Sequence, residues 1–353
     1  MARRDRGWNM GSRCKPAAEY DIRVARGLFA QASAKWPAYG IVTTPSAYEA
    51  TRSHLRRPPE GVVFAEWLDS AHQQELSDKL PDGIELVVGL GGGKALDASK
   101  FVALDKDAEL ILAPTILSSG AIIHGHVARW DGYRTLGGLD DWPWVDCEYV
   151  LVDLEVALKA PDYLHTAGIG DILCSYAGIE EWRRRALSGR GPDVDEQAIA
   201  REIGRHEQIA STFEATLDAN GAMTEASVAD LIQRIQERDR MRFQASGTES
   251  GDHPFWIALE TVNQRTWIHG ELVALGAMII TWCCEGDVGG FAERLDRSRV
   301  RWRPGQMGLE RAALKNGLAF TPQYMEENGV DSVLRHEPVR GARFDAVWAF
   351  LNR

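Results

Sequence analysis

The distribution of apolar and polar positions changes near residue 160. Before that point, short apolar runs alternate with stretches whose apolar residues recur at helical spacing. This alternation is typical of a parallel β-sheet with helices on both faces. Beyond it, strand-like runs disappear and long helical patterns dominate. The pattern predicts an α/β domain over residues 1–157 and an all-helical domain over residues 158–353.

The limits of the apolar runs predict the individual elements. In the first half we expect strands at 39–45, 61–64, 86–88, 110–115 and 149–153, and helices at 21–36, 46–55, 72–80 and from 94 onward. The segment 130–147 is interpreted as a hairpin or lid. In the second half we expect helices at 168–186, 194–215, 224–240, 254–263 and 269–284, whereas the tail from residue 301 has an irregular pattern.

Three glycines lie between the strand at 86–88 and the helix that starts at Lys94. Gly91, Gly92 and Gly93 let the backbone approach an anion closely, and the free N–H groups at a helix start favour a phosphate. Their spacing matches neither the G-x-G-x-x-G fingerprint nor a P-loop. The segment is therefore either a phosphate-binding turn or an ordinary turn between a strand and a helix.

Polar side chains also cluster where the strand at 110–115 ends. Thr115 and Ser118 lie there, and ligands of parallel sheets bind beyond the carboxyl ends of the strands. A solvated turn explains these hydroxyl groups equally well. His124 and His126 follow in the same loop, where two surface histidines are at least as good an interpretation as a substrate site.

Three segments of the helical half carry polar groups that helix packing does not explain. Asp171 ends the run AGIGD, His253 follows Ser-Gly-Asp, and His269 begins the run HGE. Singly, Asp171 is most simply a helix N-cap and each histidine a structural residue. Together, one carboxylate and two imidazoles suit Zn²⁺ or Fe²⁺, with a coordination position left open for substrate.

Composition narrows the possible partners. The formal net charge of −11 argues against nucleic acid or an anionic membrane, because Lys and Arg provide most of the binding to both. The five cysteines are scattered and odd in number, so we expect no disulfide framework and a cytoplasmic location. The longest apolar run, 272–284, is too short to span a bilayer. We therefore expect a globular protein that binds a small molecule.

Five motifs together resemble one known family. GGGKALDASK, PTILSS, AGIGD, SGDH and HGELVALG, in this order, resemble segments of the iron-containing (group III) alcohol dehydrogenase superfamily. This superfamily includes glycerol dehydrogenases, glycerol-1-phosphate dehydrogenases and dehydroquinate synthases. The resemblance covers residues 39–276 and implies a dehydroquinate synthase-like fold, in which a Rossmann-like α/β domain precedes an all-α domain.

The resemblance also implies a role for each motif. Asp171, His253 and His269 would bind one divalent metal, zinc, iron or nickel, and act in catalysis. In an NAD or NADP site, Gly91, Gly92, Gly93 and Lys94 would bind the pyrophosphate, Asp97 would order the helix start, and Thr115 and Ser118 would line the nicotinamide.

The choice between NAD and NADP depends on the residues after the strand core at 40–42. Thr43 and Thr44 lie there in place of an acidic residue. Because no carboxylate would repel a 2′-phosphate, we expect NADP to be accepted.

Two departures from the family pattern concern the substrate. Gly120 replaces an aspartate that glycerol-type dehydrogenases usually carry, and Ile257 replaces a second histidine one turn beyond the first. Whether this chain binds polyols as glycerol dehydrogenase does is therefore an open question. His124 and His126 are candidates to replace the missing aspartate and histidine.

Three functions are compatible with the motifs. The first is a metal-dependent NAD(P)-linked dehydrogenase that interconverts a small secondary alcohol, a polyol or polyol phosphate resembling glycerol-1-phosphate, and its ketone. The second is a sugar-phosphate cyclase with recycled NAD, although cyclases of the family place a glutamate where this chain has Asp171. The third is a catalytically silent homologue. Members of the family commonly form symmetric oligomers, so we expect a homo-oligomer.

Overall fold

The computed structural model describes residues 20–127, 130–131, 134–135, 144–242 and 250–353. The chain divides into two compact units, one of Met1–Ile116 with Gly120–Ala160 and the other of Leu117–Ser119 with Pro161–Arg353. Each unit is described separately. Among the described helices, none is both long enough and apolar enough to cross a membrane.

The first unit is an α/β unit built on a six-stranded, all-parallel sheet in the order β1-β8-β5-β4-β2-β3. The strands are β1 (Ile22–Ala25), β2 (Tyr39–Thr43), β3 (Gly61–Phe64), β4 (Leu86–Gly91), β5 (Glu109–Pro114) and β8 (Tyr149–Asp153), and β6 (Trp130–Asp131) pairs antiparallel with β7 (Arg134–Thr135). The helices are α1 (Leu28–Ser33), α2 (Pro45–Thr51), α3 (Ser70–Lys79), α4 (Gly93–Lys106) and α5 (Leu154–Ala157).

The central strands are apolar on both faces because helices cover both. Ile41, Val88, Ile111 and Leu151 are at most 2% exposed and belong to one core cluster. This burial explains why the sequence shows continuous apolar runs rather than alternation. The strands β2, β4 and β5 are neighbours, so their carboxyl ends lie side by side.

The predicted helix at 21–36 is wrong in its first part. Ile22–Ala25 form the edge strand β1, which pairs with β8, and only Leu28–Ser33 are helical. The carboxylate of Asp153 at the end of β8 accepts hydrogen bonds from the backbone N–H groups of Gly27 and Phe29, at 3.1 and 2.9 Å. Pairing with β8 therefore overrides the local helical pattern.

The second unit is helical throughout its described residues. Its helices are α6 (Asp162–Leu173), α7 (Tyr176–Leu187), α8 (Glu196–Thr216), α9 (Glu225–Arg242), α10 (Asp252–Asn263), α11 (His269–Cys283), α12 (Val288–Arg297), α13 (Arg311–Glu327), α14 (Val333–His336) and α15 (Gly341–Leu351). The α/β half followed by a helical half confirms the predicted fold class.

Two expectations for this unit need correction. The single helix expected at 168–186 is two helices, α6 and α7, separated at Cys174 and Ser175. The tail from residue 301 is not irregular, because it forms α13, α14 and α15. Gly317 and Pro322 interrupt the apolar pattern of α13, but Gly317 lies against Leu259 of α10, where an added Cβ would approach within 2.9 Å. Close packing therefore stabilises a helix that the sequence pattern does not reveal.

Candidate metal centre and nucleotide site

Helices α6 and α11 contact each other through their backbones. A Cβ added to Gly270 would lie 1.8 Å from the carbonyl oxygen of Ala167, and one added to Gly170 would lie 2.5 Å from the carbonyl oxygen of Gly270. Glycine is therefore required where these helices cross. The close approach brings Asp171 of α6 beside His269 of α11, so the glycines of the AGIGD and HGE motifs have a packing role.

Three predicted ligand side chains converge in the second unit. Oδ1 of Asp171 lies 3.2 Å from Nε2 of His269 and 3.5 Å from Nε2 of His253. The histidines come from the first turns of α11 and α10, as expected. Asp171, however, lies inside α6 and is not the N-cap that local sequence suggests. Its side chain is only 3% exposed, whereas the histidine side chains are 34% and 26% exposed, so solvent reaches the cluster from the histidine side.

Other side chains fix the orientation of these three. Oδ2 of Asp252 lies 2.7 Å from Nδ1 of His253, which turns Nε2 of that ring toward Asp171. Nη1 of Arg238 donates to Oδ2 of Asp171 at 2.7 Å, leaving Oδ1 for the histidines. The Trp256 ring packs edge-on against the His269 ring, with centroids 4.3 Å apart.

These neighbours lie outside the residues that the sequence motifs predicted. Asp252 precedes His253 directly, and Trp256 follows it by three residues on the same helix face, so spacing offered a signal for both. Cys174 follows Asp171 by three residues, the spacing that also separates Trp256 from His253. Arg238 carries no such signal, because 67 positions separate it from Asp171.

The charges around the cluster shift its protonation equilibria in different directions. Burial would raise the pKa of Asp171, but Arg238 and the two histidines outweigh it and keep that pKa well below its usual value. Burial also opposes charge on His253, but the carboxylates of Asp252 and Asp171 outweigh it and raise the pKa of His253 to about 9. For His269, burial prevails and the pKa is lowered, with the nearby His253 and Arg238 adding to the effect.

These residues fit a divalent metal. One carboxylate oxygen faces a nitrogen of each of two imidazoles, the donor types of three-ligand catalytic sites. The hydrogen bond between Asp252 and His253 is the carboxylate–histidine pair that commonly orients a metal-binding imidazole. Within the described part of the chain, Nδ1 of His269 is buried and has no hydrogen-bond partner.

The glycine turn lies at the carboxyl edge of the parallel sheet. Gly91 ends β4 with a φ of +145°, and an added Cβ would lie 3.1 Å from the Cβ of Ala95 and 3.3 Å from that of Ala47. Gly92 is the N-cap of α4 and offers no side chain, so the first N–H groups of this 14-residue helix have no side-chain cap. Thr43 ends the neighbouring strand β2, opposite Leu90. The turn therefore has the features of a phosphate site.

The remaining nucleotide-site candidates are distributed over both units. Lys94 lies in the first turn of α4, and the N–H of Thr115 donates to the carbonyl oxygen of Gly91 at 3.0 Å. Asp97 accepts a hydrogen bond from the fully buried Lys100 at 2.7 Å. Ser118 belongs to the second unit.

Of the substrate candidates, His124 and His126 lie in the first unit. His124 Nδ1 is 3.4 Å from Nζ of Lys100, and the two histidine rings are 5.5 Å apart. Both histidines are half-buried. Gly120 is buried at the start of a 3₁₀ turn in the same unit.

Comparisons with known proteins point to one superfamily. The sequence model of a family described as iron-containing alcohol dehydrogenase matches residues 51–161. This match, together with the named relatives below, supports the iron-containing alcohol dehydrogenase superfamily. It is 28% identical to a glycerol dehydrogenase from Thermotoga maritima over 58% of this chain and 57% of that protein. It is 25% identical to a glycerol-1-phosphate dehydrogenase [NAD(P)+] from Hyperthermus butylicus over 81% of this chain and 82% of that protein.

The superfamily fold extends over nearly all of the chain. A probable glycerol dehydrogenase from Sinorhizobium meliloti matches 94% of this chain and 98% of its own, with a TM-score of 0.64 and 19% identity. In sequence, the chain spans less than two thirds of the first relatives that it matches, 57% of the Thermotoga maritima enzyme and 62% of a glycerol-1-phosphate dehydrogenase from Methanosphaerula palustris.

The superfamily departure at Ile257 lies next to the metal centre in sequence. Ile257 is one helical turn after His253 in α10, and its predecessor Trp256 is the residue whose ring contacts both histidine rings. An indole therefore lies beside the two candidate ligand histidines, on the helix that carries this departure.

Proposed function

We propose that the protein is a metal-dependent, NAD(P)-linked dehydrogenase that interconverts a small secondary alcohol, a polyol or polyol phosphate, and its ketone. The convergence of Asp171 Oδ1 with the Nε2 atoms of His253 and His269 carries this proposal. Relatives named glycerol dehydrogenase and glycerol-1-phosphate dehydrogenase [NAD(P)+] support the substrate class and the nucleotide.

Asp171, His253 and His269 would bind the metal, zinc, iron or nickel. When bound there, the metal supplies a Lewis acid that lowers the pKa of a substrate hydroxyl or polarises a ketone. Arg238 keeps one oxygen of Asp171 turned toward the histidines, and Asp252 orients the ring of His253. Trp256 covers the histidine rings on one side and restricts water there.

The turn at Gly91, Gly92 and Gly93 would bind the nucleotide pyrophosphate through backbone N–H groups at the start of α4. Thr43 at the end of β2 presents no negative charge, so we expect NADP to be used as well as NAD. Turnover with both nucleotides tests this expectation, and strict dependence on NAD would contradict it.

The first experiment measures the metal content of protein purified without chelator. We expect about one equivalent of metal per chain in the wild type and its loss in Asp171→Ala and His253→Ala. His336→Ala is the matched control, since this exposed histidine pairs with Asp331 in the same unit and should leave the metal bound. A wild-type protein that binds no divalent metal when supplied with it would favour the silent homologue.

Nucleotide turnover separates the remaining alternatives. A dehydrogenase consumes or produces NAD(P)H in proportion to product when alcohols and ketones are screened. A sugar-phosphate cyclase recycles its NAD and shows no net change. The identity of residue 171, an aspartate where cyclases of the family place a glutamate, supports the dehydrogenase.

Three further features belong to the same proposal. The free cysteines within the described ranges, Cys147, Cys174, Cys283 and Cys284, support a cytoplasmic location. A homo-oligomer and a domain boundary between residues 157 and 158 are proposed from the sequence. Sedimentation and limited proteolysis test these two features.

A further inference from the structure

Cys174 lies close to the metal centre without belonging to its predicted ligand set. It follows the last residue of α6 and is three positions beyond Asp171, so both side chains lie on one face. Its Sγ, a carboxylate oxygen of Asp171 and a ring nitrogen of His253 all lie within 4.8 Å of one another. This cluster offers one sulfur, one oxygen and one nitrogen donor.

Burial and the nearby carboxylates of Asp252 and Asp171 surround the Cys174 sulfur and raise the pKa of its thiol. The residue is 3% exposed, and Sγ donates to the backbone carbonyl oxygen of Asp171 at 3.1 Å. That bond keeps the sulfur on the Asp171 side of the helix end. The remaining described cysteines of this unit, Cys283 and Cys284, lie at the far end of α11 from His269.

We propose that Cys174 is a ligand of the metal at this centre, in addition to Asp171, His253 and His269. The thiol would lose its proton as the sulfur–metal bond forms, and the proton would pass to solvent. Because thiolate is a soft donor, it would favour zinc over magnesium, calcium or manganese. Substrate would then bind as a fifth ligand or in place of the sulfur. This inference shares one premise with the proposed function, namely that the cluster binds a metal.

Cobalt substitution of the full-length protein tests the assignment. Thiolate bound to Co²⁺ produces a sulfur-to-cobalt charge-transfer absorption in the near ultraviolet, which oxygen and nitrogen ligands do not. We expect this absorption in the wild type and its loss in both Cys174→Ala and Cys174→Ser. Both variants should still bind cobalt through the other three ligands, with affinity lower by about tenfold or more. Cys283→Ala removes another buried thiol of the same unit and should keep the absorption.

The outcomes separate this inference from the proposed function. Stoichiometric cobalt without charge-transfer absorption, or absorption that persists in Cys174→Ala, would overturn the sulfur ligand and leave the dehydrogenase proposal intact. A wild-type protein that binds neither cobalt nor zinc nor iron would overturn both.

Discussion

The two histidines of the metal centre differ in their readiness to bind a metal. A metal-binding imidazole must be neutral. The lowered pKa of His269 favours that form, whereas Asp252 and Asp171 favour the charged form of His253. Of the two histidines, His253 is therefore the one at which metal binding competes with a proton.

This competition predicts a pH-dependent metal affinity. Because the pKa of His253 is raised to about 9, the imidazolium is the dominant form below that pH and must lose a proton to bind the metal. Loss of this proton should by itself raise the affinity for zinc by about tenfold per pH unit between pH 6 and pH 8, and the proton lost from Cys174 in our further inference would steepen the slope. Titration against a chromophoric chelator, corrected for the chelator's own protonation, measures this slope.

Asp252→Asn provides the comparison. It removes the largest charge that favours the imidazolium and should flatten the slope by lowering the pKa of His253. Equal slopes in the wild type and this variant would show that protonation of His253 does not control metal binding.

At the scale of the elements, the centre depends on how closely α6 and α11 approach. Gly270 has the carbonyl oxygen of Ala167 where a Cβ would be, at 1.8 Å, and backbone cannot move aside as a side chain can. Gly270→Ala must therefore separate the two helices and with them Asp171 and His269. We expect a loss of about 3 kcal/mol in the free energy of unfolding and a loss of bound metal.

Gly204→Ala is the matched control for this prediction. Gly204 lies inside α8, and an added Cβ would meet nothing within 4 Å. Alanine there should leave metal content unchanged and stabilise the protein by up to about 1 kcal/mol. Denaturant unfolding and metal analysis of both variants provide the comparison, and Gly270→Ala matching Gly204→Ala in both would contradict the packing argument.

At the scale of the whole molecule, the sequence predicts the elements that are defined by neighbouring or regularly spaced residues. The strands at 61–64 and 149–153 have the predicted limits because each is a continuous apolar run bounded by turn residues. β1 was not predicted because it is an edge strand with three of its four residues exposed, and its burial pattern does not alternate. Strand pairing over more than a hundred positions leaves no trace in local spacing.

Long-range contacts of the candidate site are likewise not visible in local sequence. Asp171, His253 and His269 are recognisable because each lies in a short glycine-containing motif. Their distances, and the ion pair of Arg238 with Asp171, depend on how four helices pack. Local sequence assigned Asp171 to a helix start, whereas the packing of α6 places it within the helix.

A buried carboxyl connects three parts of the second unit. Glu181 of α7 accepts hydrogen bonds from the N–H groups of Gly251 and Val333, each at 2.9 Å, and from the hydroxyl of Ser332. The residue is 1% exposed. Glu181 thus joins the turn before α10, which carries His253, to the start of α14.

Glu181 should make the stability of the protein depend on pH. Burial outweighs these hydrogen bonds and raises the pKa of Glu181 from 4.5 to about 7, so the folded protein binds a proton that the unfolded chain releases. The contribution of Glu181 to stability is therefore greatest below about pH 4.5 and falls as the pH rises to about 7. The fall is on the order of 3 kcal/mol, from about 1.4 kcal/mol per pKa unit. Glu181→Gln cannot titrate, so its stability relative to the wild type should improve by this amount between pH 4.5 and pH 7.

Glu293→Gln, at an exposed position of α12, is the matched control, and its stability should follow that of the wild type at every pH. Denaturant unfolding across this range measures the difference, and parallel curves for the wild type and Glu181→Gln would show that folding does not raise the pKa of Glu181.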